Sequence, residues 1–320
     1  MKKIVRKIIK VAVILIAVII AICLTVFVAH KIISVAEHKR QIPNQRFVTV
    51  DGKNMSICVL GDEKSEHTIV LLPGLGTVSP INDFEPLSDE LSKNFRVIVV
   101  EPFGYGYSDI TDKPRTVENE TSELKAALDA SQLPGPYIFM AHSIYGLDVI
   151  KYSNDYPEDV EAVIGIDCTM PKILSYFGEE APHMQSEALG VLCKVGVTRI
   201  LTCIDPDSFI SSNPSDDYSE ENILEQKRLA SIMAVNKNVI SQNNEITNTI
   251  NKTHDLEYDK NLPLLFFTTS EKEKISFFEE YISNETIQKI IAYDAPHYMH
   301  WTKSRDMAFE VNNFVQTTLR

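Results

Sequence analysis

The residue in this sequence best placed to do chemistry is a serine at the end of a short apolar run. Residues 135–148 read G-P-Y-I-F-M-A-H-S-I-Y-G-L-D, and the run Tyr137 to Ala141 gives way at His142-Ser143 to a segment that reads as helix through Tyr152. Strand, sharp turn and helix make a serine at the turn a candidate nucleophile, because its hydroxyl stands clear of the sheet. The unpaired N–H groups of the helix start, beginning with Ile144, then point at any anion formed there. The usual spacing is G-x-S-x-G, since the backbone at the serine is too cramped for bulky flanks. Ala141 is a small substitute; Tyr145 departs from the pattern, and Gly146 supplies the small residue one position later. The alternative for Ser143 is an ordinary helix N-cap.

A serine hydroxyl is a poor nucleophile until a neighbouring base takes its proton, and the base needs a third group to orient it. Histidine suits that task near neutral pH. Of eight histidines, His30 and His38 lie beside an apolar N-terminal run, His67 precedes a strand, and His183 and His254 fall in a helical insertion. His142 abuts the serine, where its side chain points the wrong way. His297 and His300 remain, in the loop A-P-H-Y-M-H-W after the last strand. His297 comes first, so its loop can reach back over the sheet edge to Ser143, with His300 packing behind it.

The elements that must hold these groups alternate. Arg46 to Val50 and Lys53 to Leu60 flank Asp51-Gly52, a strong hairpin signal. Strands are expected at Thr68 to Leu72, Arg96 to Val100, Tyr137 to Ala141 and Val160 to Ile166, and again at Leu264 to Thr268 and Thr286 to Tyr293. Helices are expected at about Pro80 to Lys93, Thr116 to Ser131 with Thr116 as N-cap, near Ser276 to Ile282, and from about Ser304 to Leu319. This rhythm predicts an α/β fold with a mostly parallel central sheet, and it places Ser143 at the C-terminal end of a central strand, where active sites of open sheets gather. Between about Pro171 and Leu262 the rhythm stops. Helical patterns there, clearest at Ser219 to Val235 and Asn236 to Thr253, read as a lid inserted after a strand. The expected division is a core of residues 46–170 and 263–320 with a helical lid at 171–262.

The first forty residues differ from the rest. Lys2, Lys3, Arg6, Lys7 and Lys10 precede an uncharged apolar run from Val11 to Ala29, long enough at about 1.5 Å per residue to span a hydrocarbon core of about 30 Å. Residues 1–10 read as a cytoplasmic basic segment, 11–30 as a transmembrane helix and 31–45 as a tether, with the remainder outside the cytoplasm by the positive-inside rule. The competing reading is a signal peptide cleaved near Ser34-Val35-Ala36, giving a secreted protein. Ile22 argues against a lipoprotein anchor at Cys23. With 8 of 31 basic residues and one of 44 acids in the first forty positions, residues 41–320 carry 23 charges against 43, a net of −20. Such a surface repels nucleic acid. The five cysteines form no disulfide framework and no metal spacing, although Cys193 and Cys203 are close enough in sequence to pair in an exported domain.

Taken in order, P-G-L-G, E-P-F-G-Y-G-Y-S-D, A-H-S-I-Y-G, strand, lid and P-H-Y-M-H-W resemble the α/β-hydrolase fold family, particularly its lid-bearing lipase, esterase and aminopeptidase-like branch, over about residues 46–320. The resemblance implies Ser143 as nucleophile, His297 as base and the backbone N–H groups of Leu75 and Ile144 as oxyanion hole, with Pro73 where the family usually has histidine. For the acid it implies Asp167, directly after the strand that follows the nucleophile helix, or Glu271 in the loop T-T-S-E-K-E-K, with Glu273 behind both. The function implied is a membrane-anchored serine hydrolase that needs no metal or organic cofactor and takes a small-molecule ester, a lipid or a short peptide. A serine in place of aspartate disfavours dehalogenase and epoxide-hydrolase chemistry. Prolyl-aminopeptidase-like activity is an alternative, with Glu179, Glu180, Asp216 and Asp217 available to hold an amine, and a non-catalytic binding domain is another.

Overall fold

The computed structural model describes residues 2–37, 42–211 and 217–319. Its strands are β1 (Gln45–Val50), β2 (Lys53–Leu60), β3 (Thr68–Leu72), β4 (Arg96–Glu101), β5 (Tyr137–His142), β6 (Val160–Ile166), β7 (Leu264–Thr269) and β8 (Gln288–Tyr293). They form one sheet in the order β1-β2-β4-β3-β5-β6-β7-β8. The pairs β1–β2 and β2–β4 are antiparallel and all others parallel. The central strands β3, β4 and β5 are buried throughout and mostly apolar because both faces are covered.

The helices are α1 (Lys2–Glu37), α2 (Pro80–Asp83), α3 (Glu85–Leu91), α4 (Val117–Ser131), α5 (Tyr145–Asp155), α6 (Ile173–Phe177), α7 (Leu189–Lys194), α8 (Val197–Ile204), α9 (Glu220–Met233), α10 (Lys237–Thr253), α11 (Lys272–Glu279) and α12 (His300–Thr318). On one face of the sheet Leu124 and Leu128 of α4, Leu147 and Ile150 of α5, and Phe277 of α11 enter the core. On the other, Leu87 and Leu91 of α3 pack with Val311 and Phe314 of α12. Helices α6 to α10 lie in sequence between β6 and β7.

Several boundaries depart from expectation for identifiable reasons. The helix expected from Pro80 to Lys93 breaks at Phe84, because Pro86 has no N–H to continue the ladder. The Asn82 carbonyl accepts instead from Asn222 Nδ2 of α9 at 3.0 Å. The last helix begins at His300 rather than Ser304 and is kinked at Lys303. Its first turn is pinned by buried Asp83, which accepts from Trp301 Nε1 at 2.8 Å and lies 2.7 Å from His300 Nε2. Helix α11 starts four residues before Ser276, since β7 turns directly into it with Glu271 as its cap residue. Thr116 caps α4 as expected, accepting from Asn119 N–H at 3.4 Å.

Near the N-terminus, Ile4–Glu37 is a helix long and apolar enough to cross a membrane, a property that a signal sequence shares. It outlasts the expected span of 11–30, so residues 31–37 of the expected tether are helical; residues 38–41 lie outside the described ones. Cys193 and Cys203 do not pair: Cys193 is buried and Cys203 faces outward, both as free thiols.

Candidate active site

Ser143 is the residue after β5, held where the chain reverses into α5. Its φ of +52° is left-handed, a region that non-glycine residues seldom occupy and that recurs where a side chain must be forced out of a tight turn. The turn is tied on both sides: Ser143 N–H donates to the Ile166 carbonyl at 3.2 Å and the Ser143 carbonyl accepts from Thr169 N–H at 2.7 Å. These bonds bring the end of β6 beside the end of β5. Asp167, the residue after β6, stands at the same level, with φ of +40° and its N–H donating to the Phe267 carbonyl at 2.8 Å.

The loop after β8 completes the group. His297 Nε2 lies 3.0 Å from Ser143 Oγ, and His297 Nδ1 lies 2.6 Å from Asp167 Oδ2. With the Nδ1 proton donated to the carboxylate, Nε2 is left as an acceptor facing the serine hydroxyl. The carboxylate is almost fully buried while the imidazole is nearly half exposed, so the row opens towards solvent at the serine end. Of the three acids the sequence offered, the structure brings Asp167, and neither Glu271 nor Glu273, to the imidazole. Glu271 sits at the exposed start of α11, and Glu273 is exposed on its first turn. The reason is the short β7–α11 turn, which ends the strand before either side chain can reach inward.

Lys274, on the same helix, was not singled out by the sequence. Its Nζ lies 2.8 Å from Asp167 Oδ1 and 2.9 Å from Oδ2. Burial pushes the Asp167 carboxyl up, but the His297 hydrogen bond and the Lys274 charge outweigh it and leave the group below the ordinary aspartate value. No spacing signal marks this lysine, because its contact depends on where α11 begins.

His142, which the sequence set aside as pointing away, is buried beneath the group. Its Nε2–H donates to the His297 carbonyl at 3.3 Å, so it holds the loop that carries the base. Burial, with His300 and His297 close by, drives its pKa well below the ordinary value and keeps it neutral. His300 packs behind against Phe84 and Asp83, as its place in the loop implied.

The amides expected to receive an oxyanion lie around Ser143. Ile144 follows it with helical dihedrals at the cap of α5. Gly74 is pressed against the serine: a Cβ there would stand 2.6 Å from His142 Nδ1 and 3.3 Å from Ser143 Cβ, so only glycine lets this loop come so near. Among the described residues neither Leu75 nor Ile144 N–H donates to another protein group. The loop is steadied by Tyr105, whose hydroxyl accepts from Gly76 N–H at 3.1 Å.

Tyr145 resolves into a structural part. Its hydroxyl donates to Glu120 Oε1 at 3.2 Å, and Gln242 Nε2 of α10 reaches the same oxygen at 2.8 Å, so the tyrosine links α5 to α4 and to the helices inserted before β7. Close helix–strand approach falls to Gly146, where a Cβ would meet the Thr169 carbonyl at 2.5 Å. Beside the site a cavity of about 280 Å³ is lined by Gly76, Thr77, Phe209, Ile210, Tyr298 and Trp301, among others. Tyr298 adjoins His297, and Gly76 is two residues from the glycine that touches Ser143. Among the described residues no group of three or more His, Cys, Asp or Glu side chains is placed to hold a metal ion. Of the acids proposed to hold an amine, Glu179 and Glu180 are exposed, Asp217 pairs with Arg305 at 3.3 Å, and Asp216 lies outside the described residues.

No family model matches the chain. Among curated proteins, an uncharacterized protein YbdG of Bacillus subtilis is 28% identical over 176 residues, 54% of each chain. A 2-(acetamidomethylene)succinate hydrolase of Mesorhizobium japonicum is 32% identical over 111 residues, 34% of each. The chain thus spans about half or less of the length of these relatives. Solved structures align over most of the chain. The Cif epoxide hydrolase of Acinetobacter nosocomialis matches with a TM-score of 0.65 at 15% identity, covering 92% of this chain and 96% of that one. Smu.1393c of Streptococcus mutans gives 0.61 at 15% over 86% and 98%. A membrane phospholipase A described as a bacterial virulence factor gives 0.60 at 13% over 100% of both. Their shared architecture and the strand order reported above identify this chain as one with the α/β-hydrolase fold, with an apolar helix ahead of it.

Proposed function

We propose that this protein is a membrane-anchored serine hydrolase that cleaves carboxylic esters, and less readily amides, through an acyl-enzyme on Ser143. The observation that carries the reading is the row Ser143–His297–Asp167, with links of 3.0 and 2.6 Å. In the forward step His297 Nε2 takes the serine proton as Oγ adds to the carbonyl carbon, and the N–H groups of Leu75 and Ile144 receive the oxyanion. The imidazolium, held by Asp167, then gives its proton to the leaving alcohol as the C–O bond breaks. Water, deprotonated by the same imidazole, releases the acid and restores the serine. Each oxyanion donor is worth about 3–4 kcal/mol in the transition state.

Esters of lipid-like substrates fit best. The supports are the apolar helix at the N-terminus, the partly apolar cavity beside Tyr298, and the likeness over its whole length to a membrane phospholipase A. The test is turnover of 4-nitrophenyl esters of increasing chain length by the full chain in detergent. The expected result is hydrolysis abolished by Ser143→Ala and by His297→Ala; equal rates in wild type and Ser143→Ala would reject the assignment.

A further inference from the structure

The eight-residue helix α8 has an unusual outward face. Its buried positions are Thr198 and Thr202, and Thr202 Oγ1 lies 2.9 Å from Ser231 Oγ of α9. Its exposed positions are Ile200, Leu201, Cys203 and Ile204, every one apolar, with Ile204 75% and Ile200 and Leu201 each 44% accessible. At about 100° per residue these four lie within one side of the helix. Val191 of neighbouring α7 is likewise exposed. Soluble surfaces scatter such residues singly; a contiguous group marks a site of contact.

The neighbour of this face says what the contact is. Gly196, just before α8, lies so near α1 that a Cβ there would stand 2.8 Å from His30 Cβ. Arg199 Nε is 3.3 Å from His30 Nδ1 and its Nη1 is 3.0 Å from Glu37 Oε1. Arg228 of α9 donates to the Glu37 carbonyl at 2.8 Å. The segment His30–Glu37 directly follows the apolar run Val11–Ala29, and at about 1.5 Å per residue it spans about 10 Å, comparable to the interfacial layer outside the hydrocarbon. A helix clamped to that segment stands where the proposed span leaves the bilayer.

We infer that the exposed face of α8, with Val191, docks into the same bilayer that α1 crosses. Ile200, Leu201 and Ile204 enter the headgroup–acyl boundary, while Thr198 and Thr202 keep α8 on the protein. The chain runs from α8 into Phe209 and Ile210, which line the cavity beside Tyr298, so docking brings lipid to the mouth of the proposed site. The inference rests on the membrane-anchored reading of α1 and not on the catalytic one.

The experiment uses the full chain with Cys23→Ser, labelled on Cys203 with an environment-sensitive fluorophore and reconstituted in phosphatidylcholine vesicles. A comparison protein carries the label at Glu285→Cys in a Cys203→Ser background, ahead of β8 at the other end of the sheet. An apolar face inserted by about 5–10 Å should make quenching by doxyl-labelled lipid about two-fold or more stronger at position 203 than at 285. Serine at Ile200, Leu201 and Ile204 together should remove the difference. Carbonate extraction of the same vesicles separates the two readings. Protein retained in the pellet with a label at 203 quenched by aqueous iodide as readily as at 285 would overturn docking alone. Protein released into the supernatant would overturn the anchor and docking with it. Cross-linking between copies through Cys203 without lipid quenching would overturn docking in favour of a second copy on this face.

Discussion

At the scale of single residues, the proposed site depends on how a few side chains are oriented. The proposed nucleophile Ser143 and base His297 were legible in the sequence, the serine from its place at a strand–helix turn and the histidine because few of the eight histidines lie where they could reach it. Asp167 was legible only as one of three acids, and the choice between it and Glu271 or Glu273 depended on the length of a turn that sequence does not fix. Lys274 was not legible at all, since its part comes from a salt bridge across two elements. It acts as a positioning residue that holds the Asp167 carboxylate ionised and in place. Removing its charge with Lys274→Met should raise the Asp167 pKa. In the pH profile of kcat/KM the acid-side loss should then move upward, and only modestly because Lys274 is partly exposed and screened. Lys274→Arg should restore the profile. A Lys274→Met profile that falls uniformly, without displacement, would assign the lysine to folding only.

At the scale of elements, the parallel strands and most helices followed from apolar runs and caps, as Thr116 and Ser219 illustrate with their side-chain bonds to Asn119 and Asn222. The breaks did not. Pro86 split one helix through its missing N–H, and Asp83 drew another into an earlier start through contacts with a segment more than 200 residues away. Tyr145 shows the same limit: in sequence it reads as a defect in the serine turn, and in the structure it is a link between α5, α4 and α10. The residue that must stay small is Gly146. Gly146→Ala should destabilise the protein by about 1–3 kcal/mol, because the opposing Thr169 carbonyl is backbone and cannot move away cheaply. Gly190→Ala, where a Cβ meets its first neighbour at 3.4 Å within α7, should be neutral or mildly stabilising. Denaturant unfolding followed by the fluorescence of Trp301, the one tryptophan in the chain, measures both.

At the scale of the whole molecule, buried carboxyls set the response to pH. Glu101, beneath the turn at Gly106, accepts from Tyr107 N–H at 2.8 Å, yet burial pushes its pKa from 4.5 up to about 7. Burial also raises Glu120, although Arg115 opposes it. A carboxyl whose folded-state pKa exceeds its unfolded value contributes fully below the unfolded pKa and loses that stability as pH rises through the folded one. For Glu101 the loss amounts to about 3 kcal/mol between about pH 4.5 and 7. Asp167 has the opposite sign: its contribution is present above the ordinary aspartate value and is lost as pH falls below it. The full chain in detergent should therefore unfold at lower denaturant at pH 8 than at pH 5.5, and Glu101→Gln should narrow the difference. An unfolding midpoint that rises with pH over this interval would contradict these assignments.

In the proposed mechanism the serine after β5 is made nucleophilic by the imidazole arriving from the other end of the fold. A fluorophosphonate probe reads that directly, because it forms a covalent phosphonyl ester only with an activated serine. Treated as the folded full chain, the protein should take up one equivalent of probe. Peptide mass spectrometry should locate the adduct on Ser143, and His297→Ala, folded by the same Trp301 signal, should lose the labelling. Folded wild-type protein that stays unlabelled, or an adduct on a different serine, would contradict the account.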